Sequence, residues 1–314
     1  MDASSSPARF DRILLIYNPV SSRNPAQLAE RLRGQVTRRV PDVPVRLQPS
    51  EFPGHARELA RAAAAVGRPL IVSVSGDGGY NEVVNGVMDV EQTEAVSAVL
   101  ASGNANDHHR STPRPPLIEA IVRGEVRRID LLRLTQGEGG AAWTHYAHSY
   151  IGLGLTPAMA IGIEEGNKGA LKELVSVTRT LRRLQPFEII RDDGARAVFD
   201  SLILANVPAI AKYGKISETG DPDDGLFEVI MSPPASKWRM ALMTLRAVTV
   251  GLGIQPRVSR YSFRTLESVP LQMDGEVMTL KARAPVVVVS AHRALATLGR
   301  RTEPEGSPTR RENV

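Results

Sequence analysis

Three observations predict an α/β chain in two parts, a Rossmann-like parallel-sheet domain followed by an antiparallel β-sandwich domain. Over the first 130 residues, short continuous apolar runs alternate with helical periodicity. Buried strand then amphipathic helix is the pattern of a parallel sheet covered on both faces. Beyond Ile129 the pattern changes to many strands and few helices, and Asp193-Gly194, Asp224-Gly225 and Asp274-Gly275 mark tight turns between them.

In order, residues 13–17 form a continuous apolar run, the mark of a strand buried on both faces. Residues 25–36 place Leu28, Leu32 and Val36 on one side of a helix. A strand at 45–48, an alanine-rich helix at 55–66, a buried strand at 69–74, a helix at 80–88, a strand at 95–100 and a helix at 116–123 complete the first part. Strands are then expected at 129–134, 143–153, 187–191, 197–205, 226–231, 258–266, 269–273 and 285–290, with helices at 169–184 and 236–250. Residues 292–298 are expected to form a last helix that returns to the first domain. The domains are therefore expected at 10–130 and 131–290, with 291–300 as that returning segment. Residues 1–9 and 301–314 are polar tails without an apolar face, expected to be disordered.

The chain has 314 residues, 42% of them hydrophobic, enough to bury a sizeable core. No apolar run is long enough to span a bilayer, and the first residues lack the basic-then-apolar pattern of a secretion leader. The absence of cysteine excludes disulfides, thiol nucleophiles and thiolate zinc sites, and fits a cytoplasmic setting. The net charge is +5, and lysine supplies only six of the 39 basic residues. A GC-rich genome accounts for this, or an anionic partner: a phosphate-bearing ligand, acidic lipid or nucleic acid. Aromatics at 4% are too few for a base-stacking platform, so nucleic acid is not an expected partner.

Chemistry concentrates in three loops at the ends of predicted parallel strands, where open α/β sheets bind ligands. The strongest is Ser75-Gly76-Asp77-Gly78-Gly79-Tyr80-Asn81. Its glycines let backbone N–H groups approach phosphate, and the helix that follows favours negative charge at its start. Asp77 would repel phosphate unless it holds Mg²⁺ or a hydroxyl proton, a pairing that phosphoryl transfer uses. Asn18-Pro19-Val20-Ser21-Ser22 and Ser102-Gly103-Asn104-Ala105-Asn106-Asp107 follow two other strands. The P-loop pattern GxxxxGK(S/T) and the dinucleotide fingerprint GxGxxG are both missing.

These motifs, together with Glu82-Val83, Asp223-Asp224-Gly225-Leu226 and Asp274-Gly275-Glu276, resemble the diacylglycerol kinase catalytic family in content and order, over roughly residues 10–300. The resemblance implies a nucleotide-binding α/β domain, a β-sandwich domain for the lipid, and transfer of the γ-phosphoryl group of ATP, with Mg²⁺, to a lipid hydroxyl. It implies that Asn18, Pro19, Val20, Ser21, Ser22 and Ser50 line the nucleotide with Asn104. It makes Ser75, Gly76, Asp77, Gly78, Gly79, Tyr80 and Asn81 the phosphate loop, and Glu276 the general base with Asp77 as rival. It further implies a structural Mg²⁺ on Asp224 and the carbonyls of Asp221 and Leu226. Expected partners are a diacylglycerol-like lipid and the surface of an anionic membrane, touched peripherally through a basic helix at 171–184 and the segment around Trp238; a homodimer stays open. An NAD kinase-like enzyme and a non-catalytic lipid- or nucleotide-binding regulator are the alternatives.

The chain departs from the family's usual Gly-Gly-Asp-Gly-Thr, with Ser75 at the first position and Gly79 at the last, and has Asn104 in place of a threonine. On sequence alone, Gly79→Thr is expected to tighten ATP binding by restoring a hydroxyl. His145 and His148, three apart in an expected strand, fall on opposite faces and make a poor metal pair. His108 and His109 are expected at the surface or at a helix start.

Overall fold

The computed structural model describes residues 10–21, 23–112, 115–155, 185–210, 214–218 and 220–299. The first part comprises β1 (Arg12–Tyr17), α1 (Pro25–Arg39), β2 (Val45–Pro49), α2 (His55–Ala64), β3 (Pro69–Ser75), α3 (Asp77–Met88), β4 (Val96–Ala101), α4 (Asp107–Ser111), α5 (Leu117–Arg123) and β5 (Val126–Gln136). There follow β6 (Trp143–Ala147), β7 (Tyr150–Gly154), β8 (Phe187–Arg191), β9 (Arg196–Phe199), β10 (Ser201–Ala205), β11 (Ala209–Ile210), β12 (Gly214–Lys215) and β13 (Phe227–Ser232). The chain continues through α6 (Lys237–Thr249), β14 (Arg257–Val258), β15 (Arg260–Thr265), β16 (Val269–Met273), β17 (Glu276–Leu280) and β18 (Pro285–Leu298). The helix expected at 169–184 and the two tails lie outside the described residues.

Strands β2, β1, β3 and β4 lie side by side in that order and all run parallel. Their apolar runs are continuous because both faces are covered. Leu15, Leu70 and Val72 pack with Leu32 and Val36 of α1 on one side. Ile16 and Ile71 pack with Ala60 of α2 and Val83 and Val84 of α3 on the other. Helix α1 starts where the sequence sets a cap: the Asn24 side chain accepts from the Gln27 N–H, and Pro25 opens the helix. Helix α3 begins at Asp77, three residues earlier than expected, so the glycine-rich stretch is its first turn.

The 14-residue β18 joins the two parts. Its C-terminal end runs parallel to β4, its length antiparallel to β5, and its beginning antiparallel to β15. This corrects the helix expected at 292–298. Leu295 enters the core beneath α2 and α3, whereas Ala296 and Leu298 face the core beneath α1. Neighbouring side chains on opposite faces are the alternation of a strand. The β5–β18 register shifts between Ala291 and Leu295, a bulge opposite Asp130.

The sandwich closes between this extended sheet and a six-stranded antiparallel sheet of order β14-β13-β10-β7-β16-β17. Leu132, Leu134, Phe263 and Val286 from the first sheet meet Leu153, Leu204, Phe227 and Leu271 from the second. Two expected strands split where the chain passes from one sheet to the other. The 143–153 strand breaks at His148-Ser149, with β6 on β5 and β7 on β10 and β16. The 197–205 strand breaks at Asp200, which accepts the Ala235 N–H at 2.8 Å.

Candidate active site

The loops after β1, β3 and β4 open on one sheet edge. Those after β3 and β4 touch backbone to backbone: a Cβ at Gly103 would lie 2.5 Å from the Gly76 Cα, and one at Gly76 would lie 3.1 Å from the Gly103 Cα. The Ser102 N–H donates to the Ser75 carbonyl at 2.9 Å. Asn106 closes the second loop by accepting from the Gly103 N–H at 3.0 Å and donating to the Gly103 carbonyl at 2.7 Å.

Beside these loops lies a cavity of 730 Å³. Asn18, Pro19, Val20, Ser50, Ser75, Gly78 and Gly79 line it, as expected of nucleotide-facing residues, and Glu276 joins them from the sandwich domain. Phe52 and Glu82 also line it and were not foreseen. Several expected residues are placed elsewhere. Tyr80 is buried in the core with its hydroxyl 3.1 Å from Ser97 Oγ. Asn81 is buried and donates through Nδ2 to the Tyr146 carbonyl and to Asp274 Oδ2. Asn104 is exposed at the tip of its loop, and Ser22 lies outside the described residues. A Cβ at Gly79 would stand 2.7 Å from Ser75 Cβ, so Gly79→Thr needs a shift of the loop or strand end.

Glu276 follows the Asp274-Gly275 turn of the β16–β17 hairpin, whose two residues both take positive φ. The turn rests on the start of α3. A Cβ at Gly275 would lie 3.5 Å from the Gly78 nitrogen, and one at Gly78 would lie 3.7 Å from Glu276 Cγ. Burial, helped by the neighbouring carboxylates of Glu82 and Asp274, pushes the Glu276 carboxyl up to about 7, and the Arg57 guanidinium opposes the rise. Asp77 is also raised, chiefly by burial, against His148 and the backbone N–H groups of Asp107 and His108. It does not line the cavity; its Oδ1 accepts from the His108 N–H at 3.4 Å.

The turn is anchored by Asp274, which the sequence marked as a turn former and as part of the Asp274-Gly275-Glu276 motif, without a role of its own. Its fully buried carboxylate accepts from Asn81 Nδ2 at 2.9 Å and from the N–H groups of His148, Ser149 and Tyr150 at 2.6, 3.0 and 3.0 Å. The histidines belong to the same region, because the strand break turns both inward. His145 Nε2 lies 3.0 Å from Asn81 Oδ1 and 4.0 Å from Glu276 Oε2. The Asn81 amide nitrogen already faces two acceptors, so its oxygen faces His145, and the His145 proton sits on Nε2. Burial and then Arg57 push the His145 pKa down to about 4, so the ring is neutral. His148 Nε2 lies 3.4 Å from Asp274 Oδ2. His108 stands at the start of α4, one of the two places expected, and is buried there, with its ring 5.3 Å from Tyr80 and 5.0 Å from His148.

The acidic turn stands at the β18 bulge. Asp130, fully buried and also missed, accepts from the N–H groups of Gly225 and Arg293 and lies 2.9 Å from His292 Nδ1. Asp224 pairs with Arg257, and its Oδ1 accepts from the Leu226 N–H. Asp221 Oδ1 accepts from the Asp223 N–H, and Asp223 pairs with Arg293 at 2.7 Å. Among the described residues no three His, Asp or Glu side chains gather around one metal position. The arrangement does not fit a cation unless Arg257 gives way.

Fold and site thus define a two-part α/β architecture, a parallel sheet with glycine loops facing a carboxylate from a β-sandwich. Residues 12–134 match the diacylglycerol kinase catalytic domain. The chain is 24% identical over 283 residues to the diacylglycerol kinase of Bacillus subtilis (strain 168), covering 84% of this chain and 89% of that protein. It is 26% identical over 133 residues to a diacylglycerol kinase of Staphylococcus saprophyticus, covering 38% and 40%. A crystal structure of a diacylglycerol kinase from Bacillus anthracis str. Sterne shares the fold at a TM-score of 0.69 with 18% identity, covering 94% of this chain and 99% of that one. Residues 12–134 thus carry the likeness to the diacylglycerol kinase catalytic domain, and similarity to a curated diacylglycerol kinase extends over most of the chain. That favours the lipid enzyme over the NAD kinase-like and non-catalytic alternatives.

Two outcomes follow for the site. If ionised Glu276 is required, kcat/KM rises with pH through about 7. Arg57→Ala, which removes a cation that lowers the pKa, moves that limb to higher pH, and Glu82→Gln moves it lower; pH–rate profiles of the three proteins check this. At the acidic turn, Mg²⁺ without nucleotide is expected to raise the melting temperature of Arg257→Ala more than that of the wild type. An equal, large rise in both would mean that the cation and Arg257 share the turn.

Proposed function

We propose that the protein is a lipid kinase that transfers the γ-phosphoryl group of ATP to the hydroxyl of a diacylglycerol-like lipid at an anionic membrane surface. The observation that carries the reading is the seating of Glu276 against Gly78, at the mouth of a cavity large enough for a nucleotide. The N–H groups of Asp77, Gly78 and Gly79 open α3 ahead of its first backbone donor, the Tyr80 N–H that bonds the Gly76 carbonyl, and suit phosphate oxygens. Phe52, half exposed at the cavity, offers a ring face to a flat base.

Mg²⁺ would enter on the nucleotide's phosphate oxygens and, when bound, would neutralise their charge; among the described residues no three His, Asp or Glu side chains gather around one metal position. Glu276 takes the lipid hydroxyl proton as the new O–P bond forms and the bond from the γ-phosphorus to the ADP oxygen breaks. Its raised pKa matches this task near neutral pH. Asp77, at the start of α3, is held by the Asp107 and His108 N–H groups at the start of α4 and shapes the loop instead.

The deciding assay offers labelled ATP with diacylglycerol, sphingosine, ceramide and NAD in parallel. Label in diacylglycerol is expected, and label in NAD alone would overturn the reading. In the same assay Glu276→Gln is expected to lose about a hundredfold or more in kcat while keeping ATP affinity. Unchanged turnover would leave Glu276 as a hairpin residue only.

No helix among the described residues is long and apolar enough to cross a membrane. A surface for peripheral contact is supported by α6, where Trp238 and Leu242, one turn apart, are 87% and 66% exposed near the exposed Arg239 and Arg246. Co-sedimentation with anionic vesicles is expected at low salt and weaker at high salt, and Trp238→Ala is expected to reduce it. No sedimentation at low salt would remove the membrane from the proposal.

A further inference from the structure

The phosphate loop contains a steric exclusion that its sequence does not reveal. Ser75 ends β3 and Gly79 sits in the first turn of α3, four residues on. A Cβ at Gly79 would lie 2.7 Å from Ser75 Cβ and 2.8 Å from Ser75 Oγ, inside the 3.0 Å limit that real Cβ atoms respect. Ser75 Cβ is tied to the strand backbone and cannot swing aside, so a side chain at one position excludes a side chain at the other. The Ser75 hydroxyl therefore occupies the space in which a residue at position 79 would begin.

That hydroxyl is also placed to act. Ser75 and Ser73, on the same face of β3, both line the cavity. Their Oγ atoms are 2.6 Å apart, and Ser75 Oγ donates to the Gly76 carbonyl at 2.9 Å. With Ser73 donating to it, Ser75 can turn its own proton from that neighbouring carbonyl to an anionic oxygen in the cavity at the cost of one local bond.

We propose that Ser75 and Gly79 act as a pair, in which the Ser75 hydroxyl is the loop's side-chain ligand for a nucleotide phosphate and Gly79 is the space it needs. This rests on the ATP reading above. The chain has not lost a hydroxyl at its phosphates; it supplies one from the strand end rather than from the helix.

The test is a set of variants read two ways, by thermal unfolding and by calorimetric titration with the β,γ-imido analogue of ATP plus Mg²⁺. Gly79→Thr is expected to melt below the wild type and bind more weakly. Ser75→Gly is expected to keep its fold and weaken the analogue about tenfold, the scale of one hydrogen bond to a charged group. In the double variant Ser75→Gly/Gly79→Thr the clash is gone and a hydroxyl has returned, so both melting temperature and affinity are expected to recover towards the wild type. Ser75→Ala/Gly79→Thr, which keeps the clashing Cβ, is expected not to recover. If Gly79→Thr does not fold, the comparison of Ser75→Gly with the first double variant still decides. Wild-type affinity in Ser75→Gly, or a first double variant that binds no better than Ser75→Gly, would overturn the pairing while leaving the ATP reading intact. A wild-type protein that does not bind the analogue would overturn both.

Discussion

The site depends on one buried carboxylate. Asp274 has no exposed surface, and four donors converge on it, one from α3 and three from consecutive backbone N–H groups at the β6–β7 break. A buried charge survives only when its lone pairs are satisfied, and removing its partners costs about 3–5 kcal/mol. The converse is that such a charge fixes whatever supplies the donors. Asp274 holds the sandwich hairpin against the parallel-sheet domain, and Glu276, two residues further on, lands on Gly78. The site spans two domains because its anchor does.

Close backbone approach is the second constraint. Gly76 and Gly103 leave no room for a side chain between the two glycine loops. Gly86 does the same between helices, since a Cβ there would lie 2.2 Å from the Arg57 carbonyl and 2.8 Å from Ala60 Cβ. Helix α2 can therefore lie directly on α3. That contact sets Arg57 where it pairs with Asp89 at 2.7 Å and lowers the pKa of Glu276, against Glu82 and the low-dielectric surroundings that raise it. The electrostatics of the candidate base thus follow from a helix packing distance that only glycine permits.

Asp130 repeats the logic of Asp274 at the other joint. It sits opposite the β18 bulge and gathers N–H groups from the acidic turn and from the bulge itself. Arg257 and Arg293 pair with Asp224 and Asp223 of that turn. The two domains are joined by a continuous sheet through β5 and β18 and pinned at two buried acids.

Much of this was legible in the residues. Continuous apolar runs mark the parallel strands because burial on both faces removes polar positions. Asp-Gly pairs mark hairpins because the left-handed backbone they need is open to few residues. Glycine and small polar residues at strand ends mark the candidate site, and Asn18, Ser50, Ser75 and Glu276 do meet at one cavity. What sequence alone could not decide depends on contacts between distant segments. The 292–298 stretch carries good helix formers, yet two sheet neighbours and a core on each face make it a strand. Asp130 and Asp274 resemble ordinary polar residues until folding withdraws water from them. His145 and His148 point to one place only because the strand between them breaks to change sheets. Gly79 looks like a lost hydroxyl until Ser75 is seen in its space, since spacing along the chain is one-dimensional and exclusion between side chains is not.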